Sequence, residues 1–302
     1  MNNGICGLLE NNVLKHYEDL YGKKIYDDIK EGKIKPFIEC TDSTSSEILS
    51  PYARENGTIC IDRNFVDFLW AYIYGSWVQF EEGLMKGFLI AQGKIDSQDE
   101  KEIFLAQSML HSAITHQLNP WPTEFPLPSA NTFYTQRVNG IFLDAISILL
   151  FHETAHILNG HLKIVKNCSS EEKKELEKEA DNFALQHVFD DANLSDQSTF
   201  IQKNIAIITA FTSFLFAGKT AYIVRQSEHP DLDDRLFNAM QILNIKDNHI
   251  SFYMYSFADT IIRHFYEIHK GEYQIAGKKM EEEKKVDFAK DLFLKDIEVI
   301  KI

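Results

Sequence analysis

The sequence is poor in cysteine and in positive charge. Its four cysteines, at positions 6, 40, 60 and 168, form no CxxC or other close pair, so neither a disulfide framework nor a thiolate metal site is predicted. The 31 lysines and arginines are outnumbered by 45 acidic residues, which gives a net charge of −14. This balance argues against a surface for the nucleic-acid backbone, and we expect no nucleic-acid partner.

Targeting signals and long apolar runs are also lacking. The N-terminal stretch MNNGICGLLENN has no basic start and no long apolar segment, so no secretory signal peptide is predicted. The longest apolar run, residues 205–218, is too short to cross a bilayer and contains Thr209, Thr212 and Ser213, which favours a buried core helix. We therefore expect a cytoplasmic protein without a membrane partner.

The composition predicts a sizeable core, since 44% of the residues are hydrophobic and 12% are aromatic. Short apolar runs at 35–40 and 57–62 predict a small sheet in an N-terminal region, residues 1–64, that packs on the rest. Helical patterns fill residues 65–302, so we expect one integrated domain of mainly α (α+β) class.

Several helices are predicted from periodicity and capping residues. They cover residues 65–91 with an interruption near Gly75, 99–117, 136–159, 169–188, 195–224, 231–242 and the tail beyond 250. The proline-rich stretch NPWPTEFPLP, which begins at Asn119, is predicted to be a loop.

The predicted helix 136–159 contains His152-Glu153-Thr154-Ala155-His156, an HExxH pattern. Residues four apart share one face of a helix, so both imidazoles can reach a single cation. Glu153 is offset by one position, which leaves its carboxylate beside the cation, where it can accept a proton from water. His152 and His156 are therefore candidate zinc ligands and Glu153 is the candidate general base. The alternative is a pair of hydrogen-bonded core histidines.

A catalytic zinc ion needs a third protein ligand and an open fourth position. The metzincin pattern would require Gly at 159 and His at 162, but the chain has Asn159 and Leu162. On a continuous helix, His161 would point away from His156 and is predicted to be a helix-end residue.

The next predicted helix contains Glu177 and Asp181, four residues apart in EKEAD. Glu177 could complete the zinc sphere, and Asp181 could accept a hydrogen bond from the far nitrogen of a ligating histidine. The small Ala180 would let the two helices approach closely. The alternative is that both carboxylates are surface charges.

A third candidate element is His229-Pro230 followed by Arg235. Pro230 marks a helix start, which places Arg235 near the first turn. Either His229 or Arg235 could stabilise the oxyanion formed when water attacks a peptide carbonyl. An equally open alternative is a structural ion pair between Arg235 and a nearby aspartate such as Asp181.

An ordered set of sequence blocks accompanies these motifs along nearly the whole chain. The blocks are ICGLL, LWAYIYGSWVQF, WPTEFPLP, IFLDAISILLFHETAH, EKEADNFA and HPDLDDR. In this order they resemble the Lit-type phage-exclusion metallopeptidases of bacteria. The resemblance implies a zincin-like helical metallopeptidase core and a latent cytoplasmic zinc endopeptidase. It also implies that the enzyme cleaves host elongation factor Tu on infection, when a segment of a phage head protein activates it.

The resemblance also assigns roles to single residues. The matching motifs make His152, His156 and Glu177 the zinc ligands and Glu153 the base, and they place His229 and Arg235 near the active site. Two other interpretations remain open: an antirepressor-type regulatory metallopeptidase, which shares the HExxH and EKEAD-like elements, and a non-catalytic binding protein stabilised by zinc.

Overall fold

The computed structural model of the protein describes residues 5–24, 36–42, 48–189, 196–217, 229–230, 234–236, 238–239 and 248–270. Helices make up most of these residues, and the strands form one small sheet near the N-terminus. The predicted class, mainly α with a small N-terminal β region, is confirmed.

The sheet has three strands, β1 (Phe37–Thr41), β2 (Tyr52–Ala53) and β3 (Thr58–Asp62). Central β3 is buried along its whole length and pairs in parallel with β1 and antiparallel with β2. The two predicted strands therefore exist, and the two-residue β2 adds an edge that the sequence pattern did not predict. β2 contacts the helix that carries the HExxH pattern.

The sequence predicts only short strands in residues 1–64, whereas Cys6–Lys24 form helix α1. It is amphipathic, and its buried face repeats every four residues. This face consists of Ile5, Leu9, Val13, Tyr17 and Tyr21. The spacing is visible in the sequence and would have predicted the helix.

The aromatic segment after the sheet forms α2 (Arg63–Val78), a π-helical stretch (Gln79–Met85) and α3 (Lys86–Ala91). The predicted interruption near Gly75 is wrong, since Gly75 lies inside α2 and the irregularity begins four residues later. Gly75 instead allows close packing, because a Cβ built there would lie 2.5 Å from the Cβ of Leu110. Leu110 belongs to α4 (Glu100–Ile114), which Asp99 caps.

The centre of the fold is α5 (Phe133–Leu158), which starts with a capping box at Thr132 and ends before the left-handed Gly160. It contacts α2, α7 (Ser170–Phe189) and α8 (Gln197–Ala217). A capping box starts α7, because the Ser169 amide donates to Glu172 and the Glu172 amide donates to Ser169 Oγ. Between α5 and α7 lie α6 (His161–Ile164) and one 3-10 turn.

Helices α5 and α8 are long and apolar enough to cross a membrane by length and composition alone. In the fold, 83% and 78% of their most apolar windows are buried inside the protein, as in core helices. The apolar run 205–218 thus contributes to α8, whose side chains pack in the core.

The last helix in the described part of the chain is α9 (Asn248–Lys270), which contacts α8. The predicted helical tail beyond 250 is therefore confirmed up to Lys270. Residues 234–236 and 238–239 are helical, in the region of the predicted helix 231–242. The predicted extension of α8 to 224 and the charged stretch MEEEKKVDFAKDLF lie outside the described residues.

Candidate metal centre

The HExxH segment lies in the last two turns of α5, against α7. Ala180 of α7 is fully buried at this contact, which allows the two helices to approach closely. Because His152 and His156 are one turn apart, their rings lie next to each other, nearly perpendicular, and the two Nε2 atoms are 3.0 Å apart. Both imidazoles are buried.

Glu177 of α7 completes a triangle of donor atoms. Its Oε2 lies 3.2 Å from Nε2 of His152, and its Oε1 lies 3.4 Å from Nε2 of His156. The three side chains can direct one ligand atom each toward a common point. The structure therefore brings together the three residues that the sequence predicted as metal ligands.

The donor set fits a tetrahedral zinc site. Zinc–ligand bonds of about 2.0–2.1 Å in a tetrahedron separate neighbouring ligand atoms by roughly 3.3 Å. The two imidazole nitrogens are 3.0 Å apart, and they lie 3.2 and 3.4 Å from the two different oxygens of the Glu177 carboxylate. Oε2 of Glu177 is buried and makes no hydrogen bond with any described residue, although ring nitrogens of His152 and His229 lie nearby. A cation at the centre of the triangle would satisfy this oxygen.

Asp181 fixes the orientation of His152. Its Oδ1 lies 2.8 Å from Nδ1 of His152, which leaves Nε2 directed at the metal position. Burial alone would lower the pKa of His152, but the hydrogen bond to Asp181 and the nearby Glu177 carboxylate outweigh burial and raise this pKa to about 10. His152 must therefore release a proton when a metal binds.

The guanidinium group of Arg235 makes a two-pronged contact with Asp181. Nε donates to Oδ2 at 2.8 Å, and one terminal nitrogen donates to Oδ1 at 2.6 Å. The Arg235 side chain is buried and lies over the rings of Phe211 and Phe214 of α8. Of the two roles considered for Arg235, the geometry favours the ion pair with Asp181 over direct contact with an oxyanion.

Glu153 lines the same cavity and is tied to the sheet. Its Oε2 accepts a 2.7 Å hydrogen bond from the amide of Ala53 in β2. Burial raises the pKa of Glu153 to about 7, against the opposing effect of the positive charge on His152. A carboxylate with this pKa can both accept and return a proton near neutral pH.

His229 lies at the rim of the site. Its Nδ1 is 2.9 Å from Oε2 of Glu177, and its side chain is 46% exposed. Burial would raise the pKa of Glu177, but the imidazole rings of His152 and His229 close to its carboxylate hold this pKa well below its usual range. The structure brings His229 next to Glu177, and its ring can contact both the carboxylate and solvent.

The cavity around these groups has a volume of about 500 Å³. Residues 50–53 before and within β2 form one part of its lining. Apolar side chains of α5, α6, α7 and α8 line it as well: Leu149, Leu162, Leu176 and Phe214. The cavity is therefore an apolar cleft that contains one polar cluster, the usual form of a small binding site in a protein.

Besides the hydrogen bond from Ala53 to Glu153, two further contacts of the site were not predicted from the sequence. His161 lies behind His156, with the two Nδ1 atoms 3.0 Å apart. Tyr17 of α1 is hydrogen-bonded at 2.6 Å to Thr154, within the HExxH segment. The first contact depends on the chain reversal at Gly160, and the second depends on how α1 packs against α5. Residue spacing along a single helix describes neither.

Comparison with known proteins identifies a family. The family model for peptidase U49 matches residues 59–258. The match contains the HExxH segment, Glu177, Asp181, His229 and Arg235, whereas α1, β1 and β2 lie before it. No curated protein and no solved structure shows significant similarity to the chain. Because the match covers more than half of the sequence, the chain belongs to the peptidase U49 family.

Proposed function

We propose that this peptidase is a zinc-dependent endopeptidase of phage defence. Zinc dependence is supported by the triangle that His152, His156 and Glu177 form. Glu153 lines the cavity beside this triangle. Two imidazoles and one carboxylate are a ligand set found in zinc peptidases, and they leave a fourth position for water or substrate. When bound, zinc supplies a Lewis acid that polarises the scissile carbonyl and lowers the pKa of water.

Glu153 is the proposed general base and acid. Its carboxylate takes a proton from the water that attacks the scissile carbonyl carbon, and it returns a proton to the nitrogen as the C–N bond breaks. The hydrogen bond from the Ala53 amide holds one carboxylate oxygen in place during both transfers. Its pKa of about 7 suits both directions of transfer.

His229 is the proposed oxyanion donor, because it is the candidate that is both near Glu177 and partly exposed to the cleft. Its ring N–H could donate to the negative oxygen that develops on the attacked carbonyl. Arg235 does not contact the substrate in this scheme. It holds Asp181, which in turn orients His152.

The wall of the cleft favours an extended polypeptide as substrate. β2 is an edge strand that lines the cleft, and its Ala53 amide is already hydrogen-bonded to Glu153. Peptides commonly bind in extended form along such edges, with side chains in adjacent pockets. The apolar lining residues favour an apolar side chain next to the scissile bond.

The biological part of the proposal rests on the ordered blocks shared with the Lit-type peptidases. They support host elongation factor Tu as the substrate, a segment of a phage head protein as the activator and the cytoplasm as the location. An abundant cytoplasmic target would also require that the enzyme remain latent until infection.

The test is to incubate the zinc-loaded protein with elongation factor Tu, with and without peptides from phage head proteins, and to map products by mass spectrometry. We expect one specific cut that requires a head-protein peptide. The matched control is Glu153→Gln, which keeps the shape of the side chain but removes the base. We expect it to bind zinc normally and to cleave at least about 100-fold more slowly.

Other outcomes would change the assignment. If zinc binds and a different protein is cut, the peptidase chemistry holds but elongation factor Tu is the wrong substrate. If Glu153→Gln has the same biological effect as the unmodified protein, the protein acts by binding and not by hydrolysis. A specific cut in a phage repressor would favour the antirepressor-type alternative.

A further inference from the structure

We propose that His161 and Glu179 position His156 as a metal ligand through a directed chain of hydrogen bonds. This inference rests on the proposed zinc site. Neither residue belongs to the HExxH or ExxxD pattern, and the two lie behind the ligand triangle rather than in it.

The chain of contacts starts at His156. Its Nε2 faces the metal position, and its Nδ1 lies 3.0 Å from Nδ1 of His161. Nε2 of His161 lies 3.3 Å from Oε2 of Glu179, whose other oxygen accepts a 2.9 Å hydrogen bond from the side-chain amide of Asn159. The contacts thus run from the ligand triangle to the partly exposed Glu179.

Metal ligation determines where each proton lies in this chain. A histidine that binds a cation through Nε2 carries its remaining proton on Nδ1. His156 therefore donates from Nδ1, and Nδ1 of His161 must accept. A neutral His161 then carries its own proton on Nε2, which points at the carboxylate of Glu179.

The local backbone explains why His161 reaches this position. α5 ends at Leu158, and Gly160 adopts a left-handed conformation with φ of 73°. The chain reverses there, so His161 begins α6 and folds back under His156 instead of continuing around α5. Its side chain is only 3% exposed, which a histidine at a solvated helix end would not be.

His152, the other ligand histidine, is supported in a comparable way. His152 is held by Asp181, which Arg235 holds in turn. Each ligating imidazole is thus paired at Nδ1 with a group that is itself anchored. Loss of such a partner typically weakens metal binding by about 10–100-fold.

The test compares zinc affinity, by chelator competition, in the full-length protein and two variants of His161. His161→Leu removes the acceptor, and we expect about tenfold weaker binding. His161→Asn puts an amide oxygen where Nδ1 was, and we expect it to recover most of the affinity. His111→Leu, at an exposed position of α4, is the matched control and should bind zinc like the unmodified protein.

Thermal unfolding of the metal-free proteins shows whether each variant still folds. It therefore separates an effect on the orientation of His156 from a loss of folding. The proposal is overturned if His161→Leu binds zinc as tightly as the unmodified protein, or if His161→Asn is no better than His161→Leu. If His161→Leu does not fold, the Glu179→Ala variant provides the test, because Glu179 is 58% exposed and its removal should not disturb folding. Unchanged zinc affinity in Glu179→Ala would reject the proposed chain of hydrogen bonds. An unmodified protein that binds no zinc would refute the proposed function itself, whereas normal zinc binding with insensitive variants refutes only this inference.

Discussion

Asp181 connects the metal centre to the rest of the core. It accepts from His152 on one side and from Arg235 on the other, and it is 2% exposed. Burial opposes its charge, but Arg235 and His152 outweigh this effect and hold the pKa of Asp181 below its usual range. The carboxylate therefore stays ionised, and it can orient His152 over the whole neutral pH range.

Asp181→Asn should weaken zinc binding by about 10–100-fold, because Asn removes the ion pair with the buried Arg235 cation and holds His152 less firmly. Chelator competition measures this loss. Asp96→Asn, an exposed position, is the control and should have no effect. Equal zinc affinity in Asp181→Asn and the unmodified protein would show that Asp181 does not support the ligand.

At the residue scale, the sequence predicted those parts of the site that depend only on the spacing of residues along one helix. His152 and His156 share a helix face by spacing alone, and so do Glu177 and Asp181. His161 and Ala53 could not be predicted in this way. His161 needs the reversal at Gly160, and Ala53 needs the packing of a two-residue edge strand against α5.

Helices were predicted well where the sequence contains both a helical repeat of apolar residues and an N-capping residue. α4, α5 and α7 start at or close to their predicted positions, with caps at Asp99, Thr132 and Ser169. α1 was not predicted, although its buried apolar residues recur every four positions. It matters for the site, since Tyr17 packs on Phe151 and bonds Thr154.

The contact between α2 and α4 depends on Gly75. A Cβ at this position would lie 2.7 Å from the backbone nitrogen of Leu110 and 2.8 Å from its Cα, and backbone atoms cannot move aside easily. We expect Gly75→Ala to lower the free energy of unfolding by about 1–3 kcal/mol. Denaturant unfolding followed by circular dichroism measures this change.

Gly83→Ala is the matched control for Gly75→Ala. Nothing lies within 4 Å of a Cβ at Gly83, so the substitution should be neutral or should stabilise the helical segment by up to about 1 kcal/mol. If Gly75→Ala is as stable as the unmodified protein, α2 and α4 do not approach as closely as described.

At the scale of the whole molecule, the site joins four parts of the chain. α5 supplies two ligands and the base, α7 supplies the third ligand, residues 229–236 supply His229 and Arg235, and β2 orients the base. Such a site is expected to couple metal binding to folding, because its ligands come together only in the folded chain. The sequence predicted the ligand-bearing helices, but not the sheet contact or the support from α1.

Removing zinc with a chelator should therefore lower the thermal midpoint of unfolding. At a free zinc concentration about 100 times the dissociation constant, binding contributes about 2.7 kcal/mol, which corresponds to a shift of several degrees. Glu177→Ala is the control, and its midpoint should respond little to the chelator. An unmodified protein that does not respond either would not contain a structured metal site.

The central claim is that His152, His156 and Glu177 hold one zinc ion with an open fourth position. X-ray absorption at the zinc edge of the stoichiometrically loaded protein tests it most directly. We expect a four-coordinate zinc ion with two imidazole nitrogens at about 2.0–2.1 Å. Its remaining ligands should be oxygen atoms, and no sulfur should be bound. Loss of one imidazole in His156→Ala would support the assignment further. A sulfur shell, or an imidazole signal that is unchanged in His156→Ala, would contradict it.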